Sequence, residues 1–141
     1  FISSLSKFDY LLQFSENLPI FKYKYLGGED YVKGYSPVPN RNSAKIQPYL
    51  ESKNIIYNNI SVQQTLFPKV DTGGLELGID WHVFYSFGIG FDQLEDMKIE
   101  KLIHGYGVGF VFYMSGFGSM TIDFGFNPYE PDTHIHLSDS N

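Results

Sequence analysis

The stretch LELGIDWHVFYSFGIG, residues 75–90, decides the fold. Every odd position is large and apolar or aromatic: Leu75, Leu77, Ile79, Trp81, Val83, Tyr85, Phe87 and Ile89. The even positions carry Glu76, Gly78, Asp80, His82, Phe84, Ser86, Gly88 and Gly90. Side chains alternate between the two faces of a β-strand, so the pattern reads as one strand with a greasy face and a polar or small one. The run exceeds both the ~5–6 residues of an average strand and the ~9–11 that cross a bilayer. Part of it is therefore expected to project beyond any membrane it crosses.

The same rhythm continues downstream. In LIHGYGVGFVFYM the bulky set is Tyr106, Val108, Phe110, Phe112 and Met114, opposite Gly105, Gly107 and Gly109. In SMTIDFGFN it is Met120, Ile122, Phe124 and Phe126, opposite Thr121, Asp123, Gly125 and Asn127. The intervening SGFG, Ser115 to Gly118, reads as a hairpin turn. Upstream, FDYLLQFS places Phe8, Tyr10, Leu12 and Phe14 on one face, and NISVQQTLF forms a further strand. The alternation predicts six strands, at roughly 7–16, 54–67, 74–90, 102–114, 118–127 and 132–140, in one unit spanning 1–141. The charged link DQLEDMKIEK is expected to form a short helical turn, and 68–74 a simple connection. The link at 17–53 carries Pro37, Pro39 and Pro48 and is far longer than a hairpin needs. Loops beyond about 15 residues are usually functional or disordered. This one contains YLGGEDYVKGY, residues 25–35, with a lone lysine between Val32 and Gly34.

Composition agrees with strands. The 141 residues include 13 Phe, 11 Tyr and 14 Gly, and aromatic side chains suit a pleated surface better than a helix interior. A net charge of -6 with no basic stripe argues against a nucleic-acid partner. The lack of cysteine excludes disulfides, thiolate chemistry and cysteine-ligated zinc. No apolar run approaches the ~20 residues of a membrane helix, a test that membrane β-barrels pass unnoticed because their strands alternate. The chain opens on Phe1 without a signal-peptide pattern, and is expected to be processed or cut from something longer.

Two arrangements bury a bulky face on every strand. A soluble β-sandwich presses two such faces together, whereas a membrane barrel turns them to lipid and lines its lumen with the other face. Successive glycines with Asp, His, Ser and Thr on the second face favour the wet lumen. Six strands cannot enclose one, since the smallest such barrels use about eight. The expected fold is therefore all-β, an antiparallel up-and-down transmembrane barrel of which this chain supplies about six strands.

LPIFKYKYLGGEDYVKGY resembles the BamA-type outer-membrane assembly barrels, the bacterial surface antigen family, in which a strand ends in LGG and a long loop carries a Val-Arg-Gly-Phe/Tyr motif. Here the motif reads Val32, Lys33, Gly34, Tyr35. SVQQTLFP, FYSFG, GYGVGF and GSMTIDFGF follow in the family's order, so the resemblance covers nearly the whole chain. It implies the last six strands of a sixteen-stranded barrel in the bacterial outer membrane. It also implies a non-enzymatic role, without metal or cofactor, in folding and inserting other outer-membrane proteins through an openable seam. The implied partners are membrane lipid, client barrel proteins and accessory assembly subunits.

In the family the loop folds into the lumen and its arginine pairs with acids on the inner wall. Lysine stands here instead, without the planar fork. By strand parity the family's acidic partner positions hold Gln63 and Ser86, leaving Asp123, Asp80 and Glu76 as inward-facing acids. Lys33 is expected in the lumen near one of these acids, with Gln63 as an acceptor. The final HIHLSDSN departs from the aromatic ending usual for such barrels.

Other constellations carry less. Asp123 to Gly125 spells DFG without the rest of a kinase, and GYGVG lacks a following helix for a dinucleotide. His134 and His136 share a strand face and read as polar lumen residues rather than a metal pair. Ser36, Ser115 and Ser119 lack a nucleophile's elbow, Glu29 and Asp30 read as a solvated loop tip, and Trp81 as an interfacial anchor. Two rival functions remain: the membrane anchor of a patatin-like lipase whose catalytic domain lies upstream, and a soluble β-sandwich binding module.

Overall fold

The computed structural model describes residues 2–11, 24–37, 50–71, 73–130 and 132–140. In chain order the strands are β1 (Ile2–Leu11), the two-residue β2 (Lys24–Tyr25) and β3 (Glu51–Ser52), β4 (Asn54–Asp71), β5 (Glu76–Phe91), β6 (Ile103–Met114), β7 (Gly118–Phe126) and β8 (His134–Ser140). The six long strands form one sheet in the order β1-β4-β5-β6-β7-β8, every neighbour antiparallel. The fold is thus an all-β antiparallel meander. It is open: among the described residues β1 and β8 each have a single neighbour, and no closed barrel forms.

Several boundaries differ from those expected. The first strand starts at Ile2 rather than at 7, and 12–16 lie outside the described residues. β4 runs through Pro68 to Asp71 where a connection was expected. Its register shifts between Thr65 and Phe67 and again between Phe67 and Val70. At such a bulge a residue drops out of the ladder, so a proline without an N–H is tolerated there. The long link at 17–53 is not strand-free either, because Lys24 pairs with Ser52 and Tyr25 with Glu51. DQLEDMKIEK forms two single-turn 3-10 helices, Leu94–Asp96 and Ile99–Lys101.

Burial on the sheet is the inverse of a globular protein's. On β5, His82, Phe84 and Ser86 are buried while Trp81, Val83 and Tyr85 are exposed. The greasy face stays open from β4 to β8, with Val62 42%, Met120 48%, Ile135 61% and Leu137 63% exposed. The core lies on the opposite, small-residue face. There Leu26, Val32, Tyr35 and Leu50, all contributed by the long link, pack with Ile55, Tyr57 and Ile103 of the strands. Tyr31 meets Tyr57 edge to face, ring centroids 5.3 Å apart. Each aliphatic side chain buried in this way contributes about 2 kcal/mol, so the loop is docked by apolar contact as well as by its polar motif.

Candidate functional site

The site is the surface where residues 26–35 lie on the small-residue face of β5 to β8. The loop closes on itself first: Val32 N–H donates to the Leu26 carbonyl at 2.9 Å, and Leu26 N–H to the Leu50 carbonyl at 2.7 Å. It then lies flat because the wall beneath it has no side chains. The Lys33 carbonyl sits directly over Gly105, and Gly34 Cα is 2.7 Å from where a Cβ on Gly125 would stand. Gly34 itself adopts φ 98°, and a side chain there would strike the Phe126 backbone. The glycine of the motif is fixed by both its conformation and its contact.

Polar groups then hold the loop at four points. The Lys33 ammonium pairs with Asp123 Oδ2. His82 Nε2 lies 2.8 Å from Asp123 Oδ1. Asp123 is only 1% exposed and Lys33 20%, so the carboxylate depends on these two neighbours for its charge. Gly34 N–H donates to His136 Nε2 at 3.2 Å, and its carbonyl accepts from Asn127 Nδ2 at 2.7 Å. Asn127 Nδ2 also donates to Glu130, whose Oε2 is 2.9 Å from His134 Nε2. Tyr35 donates its hydroxyl to the His104 carbonyl at 2.9 Å. Burial, with Tyr129 nearby, pushes that hydroxyl well above the ordinary tyrosine range, so it stays a donor.

The register explains how His82 reaches Asp123. His82 faces Gly109, and Gly109 faces Asp123, which in turn faces His136. A side chain at Gly109 would collide with both Asp123 Oδ1 and His82, so its absence lets the two groups meet across β6. Phe84 lies over Gly107 in the same manner, and the Lys33 ammonium is 5.1 Å from the centre of the Phe84 ring.

The remaining expected partners lie elsewhere. Gln63 is not an acceptor for Lys33; its Nε2 donates to Asp80 Oδ2 at 2.6 Å and to the Tyr113 hydroxyl at 3.0 Å. Asp80 accepts from Tyr113 at 3.2 Å and forms this separate cluster instead of bracing the loop. The cluster sits toward the short-turn end of the sheet, where Gly78 faces Tyr113, out of the loop's reach because successive same-face positions on one strand are about 7 Å apart. Glu76 is exposed at that same end, its N–H bonded to Ser115 Oγ. Ser86 is fully buried beneath the loop with an unpartnered Oγ, beside a cavity of about 230 Å³ that Lys33, Glu29 and Asp30 also line. Tyr113→Phe removes two partly buried hydrogen bonds, one accepted from Gln63 and one donated to Asp80, and is expected to cost about 1–2 kcal/mol. Denaturant unfolding should register that loss while the docking of Val32 is unchanged.

His82, His136, Asn127 and Glu130 belong to the site and were not singled out as loop partners from the sequence. The signal for His82 was present, since it shares a face and a row with Gly109 and Asp123. Glu130 left no signal, because it lies in a connection and acts through Asn127. Among the described residues no group of three or more His, Cys, Asp and Glu is arranged to hold a metal. No protein-family model, curated protein or solved structure matches the chain. The functional reading therefore rests on the geometry and on the sequence motif.

Proposed function

We propose that this chain is membrane-spanning wall of a bacterial outer-membrane β-barrel of the BamA type, working in the folding and insertion of other outer-membrane proteins. One observation carries the reading. The bulky face of β4 to β8 is exposed, at Val62, Val83, Tyr106, Met120 and Leu137 among others, while a basic loop tip is held against the glycine-lined opposite face by Asp123. A surface of that kind would be an aggregation liability in water and suits hydrocarbon. The short links at 72–75 and 115–117 and the longer ones at 92–102 and 127–133 fall at opposite ends of the strands, an asymmetry typical of such barrels. In this reading the open edges of β1 and β8 join further strands, and a barrel seam offers an edge for a client strand to pair with.

A β-sandwich module would instead interlock its bulky face with a second sheet, and the exposure of Trp81, Val83 and Tyr85 weighs against it. The experiment is fractionation followed by depletion. The protein should leave the outer membrane only with detergent and migrate faster on gels unheated than boiled. Its depletion should lower the outer-membrane level of other barrel proteins. Recovery as a monodisperse soluble monomer would sink the barrel reading. Residence in the membrane with normal client levels would sink the assembly role and leave the lipase anchor, which fatty-acid release from phospholipid would then test.

A further inference from the structure

We infer that the docked loop carries a proton-sensitive latch whose sensor is His136. A backbone N–H can only donate, so the bond from Gly34 requires His136 Nε2 to be free of a proton. His134, two residues earlier on the same face, has the opposite requirement, because its Nε2 faces a Glu130 carboxylate oxygen and must donate. Acid therefore preserves the His134 contact and removes the His136 one. The site makes the second event costly for docking. His136 is 5% exposed, so a protonated ring turned away from Gly34 does not simply find water.

The charged and titratable groups around His136 decide where the loop goes. Lys33 acts on it from the loop, Asp123 from β7 and His134 from its own strand; behind them His82 of β5 approaches Asp123, and Glu130 of the turn approaches His134. Asp123 is its direct cross-strand neighbour. An imidazolium at 136 repels the Lys33 ammonium and competes with it for the buried Asp123 carboxylate across the strand pair. Both effects displace Lys33 and Gly34 from the wall. Docking is thus complete with a neutral ring and lost as pH falls below the imidazole range. The latch concerns loop docking alone and holds whether or not the assembly role does.

The test uses the protein's lack of cysteine. Val32→Cys places a thiol under the docked loop, and Asp30→Cys, at the exposed tip, corrects for the thiol's own titration. Between about pH 8 and about pH 5 the corrected maleimide labelling of the first should rise about tenfold. His136→Gln supplies an amide oxygen that accepts at any pH and should flatten the profile, whereas His134→Gln should leave the rise in place. A parent protein without the rise, or a His136→Gln variant that keeps it, overturns the proposal. If His136→Gln is undocked throughout, nitrogen NMR of the parent decides: His136 must protonate with the same midpoint as the labelling rise, and a different midpoint overturns the latch equally.

Discussion

Lys33→Met is expected to weaken loop docking by about 3 kcal/mol, and more than Asp123→Asn does. The asymmetry follows from exposure. Asp123 is 1% exposed and Lys33 20%, so the carboxylate stranded by loss of lysine has only His82, while the ammonium stranded by loss of the acid can turn toward the cavity that it lines with Glu29 and Asp30. Removing one member of a buried pair costs more than the pair contributes, because an uncompensated charge remains. The double variant Lys33→Met, Asp123→Asn should therefore be milder than the sum of the singles by at least about 1 kcal/mol. Lys33→Arg keeps the charge and the contact over Phe84, and should fall between wild type and Lys33→Met. Labelling of a cysteine at Val32 through a denaturant series measures all four. Strict additivity would mean that Lys33 and Asp123 do not share their stabilisation, and that the remaining contacts seat the loop without the pair.

The alternation in 75–90 made the sheet legible, because a period of two is imposed by the strand itself and needs no tertiary information. What lay outside it is tertiary. Lys24 pairs with Ser52, a match between two-residue strands that no local pattern marks. Pro68 signalled an end to β4, and a bulge overrode it. The same division runs through the site. Parity put Asp123, Asp80 and Glu76 on one face, but reach along the strand distinguishes them, and reach is set by hairpin register. His134 and His136 were visible as a pair on one face. Their partners are a carboxylate four residues away and a loop amide 102 residues away, and the second is beyond any local pattern. The glycines were the most informative residues after the alternating ones: read as merely small, they are the floor on which another segment rests.

That floor yields the sharpest expectation, the loss of docking altogether in Gly105→Ala. A Cβ at 105 would meet the Lys33 carbonyl head on, with the Phe126 carbonyl 3.3 Å away on the other side. Both neighbours are backbone, so no rotamer change relieves the collision and the loop must lift. Lifting breaks the Lys33–Asp123 pair and the bond from Tyr35 to the His104 carbonyl. It also exposes Val32 and Tyr35, both fully buried when docked and worth about 2 kcal/mol each. The strand itself has no reason to object. Gly105 lacks a positive φ, and alanine there is a better strand residue than glycine by about 0.5–1 kcal/mol. The sheet should therefore stay folded, losing only the stability that the docked loop contributed, while a cysteine at Val32 labels as fast as one at the loop tip. Gly116→Ala is the counterpart: its φ of 83° makes alanine strained, yet nothing lies within 4 Å. It should cost about 1 kcal/mol of turn stability and leave docking intact. If Gly105→Ala behaves like Gly116→Ala, the loop does not rest on a glycine floor, and the wall of β6 is not the surface that receives it.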